Sequence, residues 1–129
     1  MPARALHHIN IRARRTLIAE LKEFYKGVVG LRDGWRPPFR STGHWLYLGE
    51  VPAVHLVEDE TLDEPTATRG STIDHVSFSC TGLRAFEALL KAKDIRFRRS
   101  DVPGTSLVQL LFDDPAGNGV ELQFTDADA

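Results

Sequence analysis

The sequence predicts an α+β fold built from two βαβββ modules whose sheets are curved and mixed. Three observations favour this fold. The same order of strand-like and helix-like segments occurs twice, matching residues of the two copies lie at nearly constant separation, and an acidic segment without apolar periodicity divides them. With 129 residues the chain has the length of one domain. We expect residues 1–129 to form that domain, with modules at about 4–58 and 72–125 and a linker at 59–71.

The first module opens with an alternating segment, residues 5–13. One face carries His7, Ile9, Ile11 and Ala13, and the other carries His8, Asn10 and Arg12. Alternation with a period of two is typical of a β-strand. Thr16 is expected to cap a helix that carries Leu17 on its apolar stripe and reaches Val29, where Gly30 ends it. A loop or irregular strand follows, and then come two predicted strands, HWLYLG and PAVHLVE.

The second module repeats this order after the linker. STIDHVSFSC is a predicted strand, with Val76 and Phe78 on one face and His75, Ser77 and Ser79 on the other. Thr81 is expected to open a helix whose apolar stripe includes Leu89. Three more predicted strands follow, IRFRRS, SLVQLLF and GVELQF, and the turn DDPAGNG joins the last two.

Four side chains occupy equivalent positions in the two copies. His8 and His75 lie in the two first strands, and His55 and Glu121 lie in the two last strands. The separation along the chain is the same for both pairs to within one residue. Each of the four has apolar neighbours, so alternation turns all of them away from the face that packs against the helices. If the modules pair around a pseudo-twofold axis, the four side chains converge.

Such a set predicts a divalent metal site in a cleft between the sheets. Imidazole and carboxylate together suit Ni, Zn, Fe or Mn, and two histidines with one carboxylate form the non-haem iron pattern. Sites that leave coordination positions open are catalytic more often than structural. We interpret His7, on the helix side, and His44, near a loop, as residues that do not bind the metal.

Composition excludes other classes of function. The net charge of −2 offers no basic excess for nucleic acid, and no apolar run has the length of a membrane helix. Cys80 is the only cysteine, which rules out a disulfide framework and a thiolate zinc site. The apolar stretch at the start is too short for a secretory signal, so we expect a cytoplasmic protein.

Four segments, LHHINIRA, FYKGVVGL, IDHVSFSC and DDPAGNGVELQF, resemble the glyoxalase I, bleomycin-resistance and extradiol-dioxygenase superfamily, the vicinal oxygen chelate proteins. The resemblance covers essentially the whole chain except the linker and tail. It implies a glyoxalase-like fold in which His8, His75 and Glu121 match the family's metal ligands. It also implies a small-molecule substrate held through two neighbouring oxygens on the cation.

The favoured reaction is that of a glyoxalase-like lyase or isomerase, in which Glu121 is both ligand and general base. Its substrate would be a small oxygenated metabolite, with a thiol conjugate as one option. The glyoxalase pattern has a carboxylate where this chain has His55, which weakens the case for glyoxalase I itself. His55 is therefore either a fourth ligand or an acid/base group.

Two alternatives stay open. Extradiol ring-cleaving dioxygenases have an acid/base histidine at the position of His55, but SLVQLLF offers Gln109 where they have a tyrosine. Bleomycin-binding relatives are non-catalytic antibiotic-binding proteins without a metal, and the intact ligand set speaks against that class. Oxygen uptake with Fe(II) would separate the dioxygenase from the lyase.

We expect a homodimer whose cleft is either within one chain or shared between two. Pairing with a second chain is a direct way to cover open sheet edges. An apolar wall with one cation is predicted beside the metal, and the residues expected to contact substrate are Arg36, Trp45, Tyr47 and Gln123.

Overall fold

The computed structural model of the chain describes residues 3–63 and 73–125. The chain divides into two compact units, Met1–Pro65 and Thr66–Ala129. The elements of the first unit are β1 (Ile9–Ala13), α1 (Arg15–Phe24), a π-helical turn (Tyr25–Val29), β2 (Arg32–Gly34), β3 (Gly43–Leu48) and β4 (Val51–Glu58). The elements of the second unit are β5 (His75–Ser79), α2 (Leu83–Ala92), β6 (Arg98–Asp101), β7 (Val108–Asp113) and β8 (Gly119–Phe124).

Each unit holds one four-stranded mixed sheet. The strand orders are β1-β4-β3-β2 and β5-β8-β7-β6. In each sheet the first strand of the unit pairs in parallel with the last, and the other pairings are antiparallel. The predicted fold class, two βαβββ modules with mixed sheets, is confirmed.

The parallel pairings of the two sheets have matching registers. Asn10 pairs with His55 in the first sheet, and Ser77 pairs with Glu121 in the second. Asn10 and Ser77 have the same separation along the chain as His8 and His75, two residues earlier in the same strand segments. The repeat in the sequence is therefore also a repeat of hydrogen-bond register.

The helix starts differ from the prediction. Thr16 does not cap α1, because the helix begins at Arg15 and the amide of Arg15 donates to the Glu60 carboxylate at 2.6 Å. Arg14 holds Glu60 in place through an ion pair of 3.1 Å. In the second unit Gly82, with φ of 83°, precedes α2, so Thr81 does not open that helix.

The N-terminal strand is shorter than expected. The sequence predicts a strand over residues 5–13, whereas β1 begins at Ile9, opposite Val54. Pro52 on β4 has no N–H to extend the ladder toward His7 and His8. Both histidines therefore precede the strand.

The two helices pack their apolar stripes on one face of each sheet. Ile18 and Leu21 of α1 and Leu90 of α2 are fully buried. Leu17 and Leu89 are only half-buried, so the stripe of α1 is centred on Ile18 rather than Leu17. The central strands β4 and β8 are buried on both faces, which encloses His55 and Glu121.

The predicted linker lies beyond the described residues from position 64 to its end at 71. No helix in the described ranges is long and apolar enough to cross a bilayer.

Candidate functional site

Three aromatic rings are stacked on the first sheet, on the face opposite α1. The imidazole of His55 lies between the ring of His8, with centroids 3.8 Å apart and planes at 10°, and the ring of Trp45, at 4.0 Å and 12°. Trp45 lies directly opposite His55 in the pairing of β3 with β4. The stack follows from sheet geometry, because paired residues on neighbouring strands project to the same face.

His55 is nearly enclosed by this stack, at 6% exposure. One ring nitrogen forms a hydrogen bond with the backbone of Pro52. The other, Nε2, is buried and has no hydrogen-bond partner among the described residues. Burial holds the pKa of His55 below its ordinary value, and the nearby His8 lowers it further. A neutral imidazole that donates through Nδ1 carries a lone pair on Nε2. The site thus contains a buried basic nitrogen.

An aromatic cluster continues the stack toward the loop before β3. Trp35 meets Trp45 edge-on at 6.5 Å, and Phe39 lies 6.1 Å from Trp45. Trp35 is 69% exposed and Phe39 53% exposed, which is high for large apolar side chains. The cluster forms an apolar wall beside His55.

Two of the predicted substrate residues, Arg36 and Tyr47, contact the loop that carries this aromatic wall. The Arg36 guanidinium lies 5.0 Å from the centre of the Phe39 ring, and it donates to the carbonyl and hydroxyl of Ser41 at 2.9 and 3.0 Å. The Tyr47 hydroxyl donates to the carbonyl of Trp35 at 2.7 Å. Arg36 and Tyr47 therefore fix where the aromatic wall stands.

The second sheet carries a buried carboxylate at the matching position. Glu121 is 6% exposed and accepts a hydrogen bond of 2.6 Å from the hydroxyl of Ser77. Its Oε1 lies 3.5 Å from Nε2 of His75. On the other side of the imidazole, Nδ1 of His75 lies 2.9 Å from the Asp74 carboxylate. Asp74 and Ser77 thus orient the imidazole and the carboxylate toward each other.

The turn DDPAGNG places Glu121 through its backbone. The buried Asp114 carboxylate accepts from the amides of Ala116 and Asn118 and from the Asn118 side chain, each at 2.9 Å. Gly117 has φ of 84°, which favours glycine. At Gly119 a Cβ atom would overlap the carbonyl oxygen of Asp74. Glycine at that position lets β8 approach the start of β5, where His75 lies.

A cavity of about 680 Å³ opens at the end of the second sheet where β5 and β8 begin. His75 lines it together with Arg96 and Arg98. Sequence reasoning missed these arginines, because exposed arginines at a strand start resemble an ordinary solvated surface. It also missed Asp74, although that residue directly precedes a predicted ligand.

The donor chemistry fits a divalent cation. The contact with Asp74 favours a proton on Nδ1 of His75, which leaves Nε2 bare on the side of Glu121. Histidine nitrogen beside a carboxylate is a common ligand pair for Zn, Ni, Fe and Mn. Within the described residues of each unit, no group of three or more His, Cys, Asp or Glu side chains is arranged to hold a metal ion. Each unit presents two of the four candidate side chains.

The remaining predicted residues lie on these same sheets. Gln123 follows Glu121 on the same face of β8 and accepts from Gln109 at 3.5 Å. His44 pairs with Leu56 on the helix-packed face, away from His55. The sequence places His7 on the helix side, but the structure corrects this, because His7 is exposed and contacts His8.

No protein-family model and no curated protein sequence matches the chain. Solved structures do. A glyoxylase/bleomycin resistance protein/dioxygenase domain from Frankia sp. EAN1pec has a TM-score of 0.75 at 17% identity, covering 95% of this chain and 98% of its own. Lactoylglutathione lyase from Agrobacterium tumefaciens has a TM-score of 0.67 at 18% identity, covering 96% of each chain.

An antibiotic-binding protein, TnmS3 from Streptomyces sp. CB03234, has a TM-score of 0.69 at 16% identity, covering 98% of this chain and 99% of its own. At such identities the likeness is one of fold. It extends over nearly all of each chain, and it includes both an enzyme and a binding protein. The resemblance drawn from the sequence is confirmed for the fold.

Proposed function

We propose that this chain, whose fold is that of the vicinal oxygen chelate proteins, is a metal-dependent lyase or isomerase of the glyoxalase type. Its substrate would be a small oxygenated metabolite. The observation that carries the proposal is a pair of matched half-sites: His8 stacks on His55 in one unit, and His75 lies beside Glu121 in the other. His55 and Glu121 occupy equivalent registers of the two sheets. Of these four, His55 and Glu121 are enclosed on the central strands.

The proposed ligands are His8, His75 and Glu121. An imidazole binds a metal in its own ring plane, and the planes of His8 and His55 are nearly parallel at 3.8 Å. Parallel planes do not meet near either ring, so the stacked pair favours one ligand rather than two. When bound, a divalent cation would supply electrostatic stabilisation of negative charge on neighbouring substrate oxygens. Ni, Zn, Fe and Mn all suit the donor set.

His55 is proposed as an acid/base group. Its Nε2, unpartnered within the described part of the chain, is the buried basic nitrogen that a proton-transfer step needs, and Trp45 fixes the ring on the face away from His8. Glu121 is the second candidate base, because the hydroxyl of Ser77 holds one oxygen of its carboxylate and the other oxygen lies 3.5 Å from His75. With two such groups, one abstracts the proton next to a carbonyl and the other delivers a proton to the neighbouring carbon.

The substrate side of the site is proposed to be the aromatic wall of Trp45, with Gln123 as a hydrogen-bonding group on the second sheet. Arg36 and Tyr47 support this wall, since two guanidinium nitrogens of Arg36 donate to Ser41 and the Tyr47 hydroxyl donates to the carbonyl of Trp35. An apolar wall next to a base suits a substrate that has both an apolar body and vicinal oxygens.

The test compares wild-type protein with the Glu121→Gln variant. Metal-free protein is titrated with Ni²⁺, Zn²⁺, Mn²⁺ and Fe²⁺ by calorimetry, and turnover of 2-oxoaldehyde–thiol adducts and other oxygenated substrates is then measured. We expect Glu121→Gln to weaken cation binding by more than about tenfold and to abolish turnover, because it removes the single anionic ligand. Glu87→Gln is the matched control, since Glu87 pairs with Arg99 on the surface. Near-normal activity of metal-replete Glu121→Gln would contradict both roles.

Two outcomes would favour the alternatives. Oxygen consumption with Fe(II) would support an extradiol-type dioxygenase, for which an acid/base histidine at His55 is the favouring observation. Tight binding of a planar apolar ligand, without cation binding or turnover, would support a binding protein. The exposed rings of Trp35 and Phe39 favour that second candidate.

A further inference from the structure

The residue before His8 is also a histidine, and the two side chains touch. Nδ1 of His7 lies 2.9 Å from Nδ1 of His8, and the rings meet edge-on at 5.1 Å and 85°. Both residues are exposed, and both precede β1. No requirement of the hydrophobic core therefore explains the contact.

The repeat gives this contact a counterpart. The same separation that relates His8 to His75 relates His7 to Asp74. Asp74 lies 2.9 Å from Nδ1 of His75, the same ring atom and the same distance as in the first unit. Both candidate ligands thus have their Nδ1 held by the preceding residue, by imidazole in one unit and by carboxylate in the other.

Contact between two Nδ1 atoms requires one N–H and one bare nitrogen. If His8 binds a cation through Nε2, its neutral ring carries the proton on Nδ1 and donates it to His7. We propose that His7 is a positioning residue for His8, whose Nδ1 proton it accepts so that Nε2 stays bare for a divalent cation. This inference rests on the proposed function, because it requires His8 to be a ligand.

Two contacts together then define the orientation of His8. Stacking on His55 sets the plane of the imidazole, and the bond to His7 sets its rotation within that plane. Partners of this kind fix the tautomer of a ligating histidine, and their loss typically lowers metal affinity by about 10- to 100-fold.

The experiment measures Ni²⁺ affinity by titration calorimetry on the 129-residue chain. The variants are His7→Ala, His7→Phe and His7→Asp, with Leu6→Ala as an exposed neighbour in the same stretch. His7→Ala and His7→Phe should each weaken binding by about 10- to 100-fold, because neither has an acceptor. His7→Asp copies the arrangement at Asp74 and should bind at least as tightly as wild type. Leu6→Ala should leave the affinity unchanged.

The possible outcomes distinguish a failure of the positioning role of His7 from a failure of the proposed function. Wild-type protein that binds no Ni²⁺ would overturn the proposed function and this inference with it. If His7→Phe binds Ni²⁺ with wild-type affinity, the ring contact alone matters. If His7→Asp binds as weakly as His7→Ala, His7 does not act as a hydrogen-bond acceptor for His8. Either result would overturn only the inference. Circular dichroism checks that each variant is folded. Because His7 is exposed, we expect its substitutions to leave the fold intact.

Discussion

Ser77 donates a 2.6 Å hydrogen bond to the carboxylate of Glu121 across the parallel pairing of β5 with β8. The bond is part-buried, and it holds one carboxylate oxygen while the other lies toward His75. A hydroxyl directly opposite a candidate ligand thus sets the direction of that ligand.

The Ser77→Ala variant should lose cation affinity by about tenfold, less than Glu121→Gln, because the carboxylate stays but is free to turn. Calorimetric titration with Ni²⁺ measures the change. Ser79→Ala is the control, since Ser79 lies two residues along the same strand and pairs with Gln123. Equal losses in both variants would contradict a specific role for the bond.

Gly119→Ala should destabilise the fold by about 1–3 kcal/mol, because its Cβ would overlap the carbonyl of Asp74 and force β5 away. It should also weaken Ni²⁺ binding, since His75 follows Asp74. Gly104→Ala is the control for the predicted loss of Ni²⁺ affinity. Its Cβ would meet no described atom within 4 Å, but its φ of 75° also strains an alanine. It should lower stability in urea unfolding and leave the affinity unchanged.

Glu60→Ala should lower stability by about 1 kcal/mol, because Glu60 caps α1 by accepting from the amide of Arg15. Urea unfolding followed by circular dichroism measures the difference. Thr16→Ala serves as the control, and we expect its effect to stay within about 0.5 kcal/mol. A larger loss of stability in Thr16→Ala than in Glu60→Ala would instead support Thr16 as the cap of α1.

Burial raises the pKa of the Cys80 thiol from 9.0 to about 11. At pH 8 the thiolate fraction is therefore about 100-fold lower than in the unfolded chain, and alkylation by iodoacetamide should slow at least as much. The same protein in urea is the control. The unfolded thiol ionises before the folded one, so stability should fall as pH rises from 9 to about 11. Equal alkylation rates in folded and unfolded protein would contradict the shift.

We expect a homodimer, because each sheet has two edge strands and Leu6, Leu48 and Val51 are exposed. Sedimentation at micromolar concentration tests it, and a monomer there would contradict it. Mixing His8→Ala with Glu121→Ala under subunit exchange then locates the site. Ni²⁺ affinity of wild-type strength returns for part of the sites if the half-sites come from different chains, since one site of each heterodimer is intact. The affinity stays weak at every site if they come from one chain.

The repeat made most of the fold predictable from sequence. The matched separation of His55 and Glu121 reappears as a matched register, with Asn10 opposite His55 and Ser77 opposite Glu121, because duplicated strands keep their pairing. The cap of α1 was not predictable. Its acceptor, Glu60, lies 45 residues beyond Arg15, and local sequence favoured Thr16.

The candidate site was predictable in its residue types but not in its contacts. Alternation placed His55 away from α1, yet it could not indicate that Trp45 shares this face, since the register of β3 with β4 is a tertiary property. Asp74 gave no signal of its own, because an aspartate before a strand is ordinarily solvated. Its role emerges only from the distance to His75.

The strands β4 and β8 each lie between two neighbouring strands, and this position affects their dynamics. Amide hydrogens at the centre of a sheet exchange with solvent mainly when the whole unit opens, whereas edge strands and loops open locally. We therefore expect the amides of His55 and Glu121 to exchange slowly, and those of His7 and His8, ahead of β1, to exchange fast. One ligand of the proposed site can detach in a local fluctuation while the carboxylate and the buried base keep their positions.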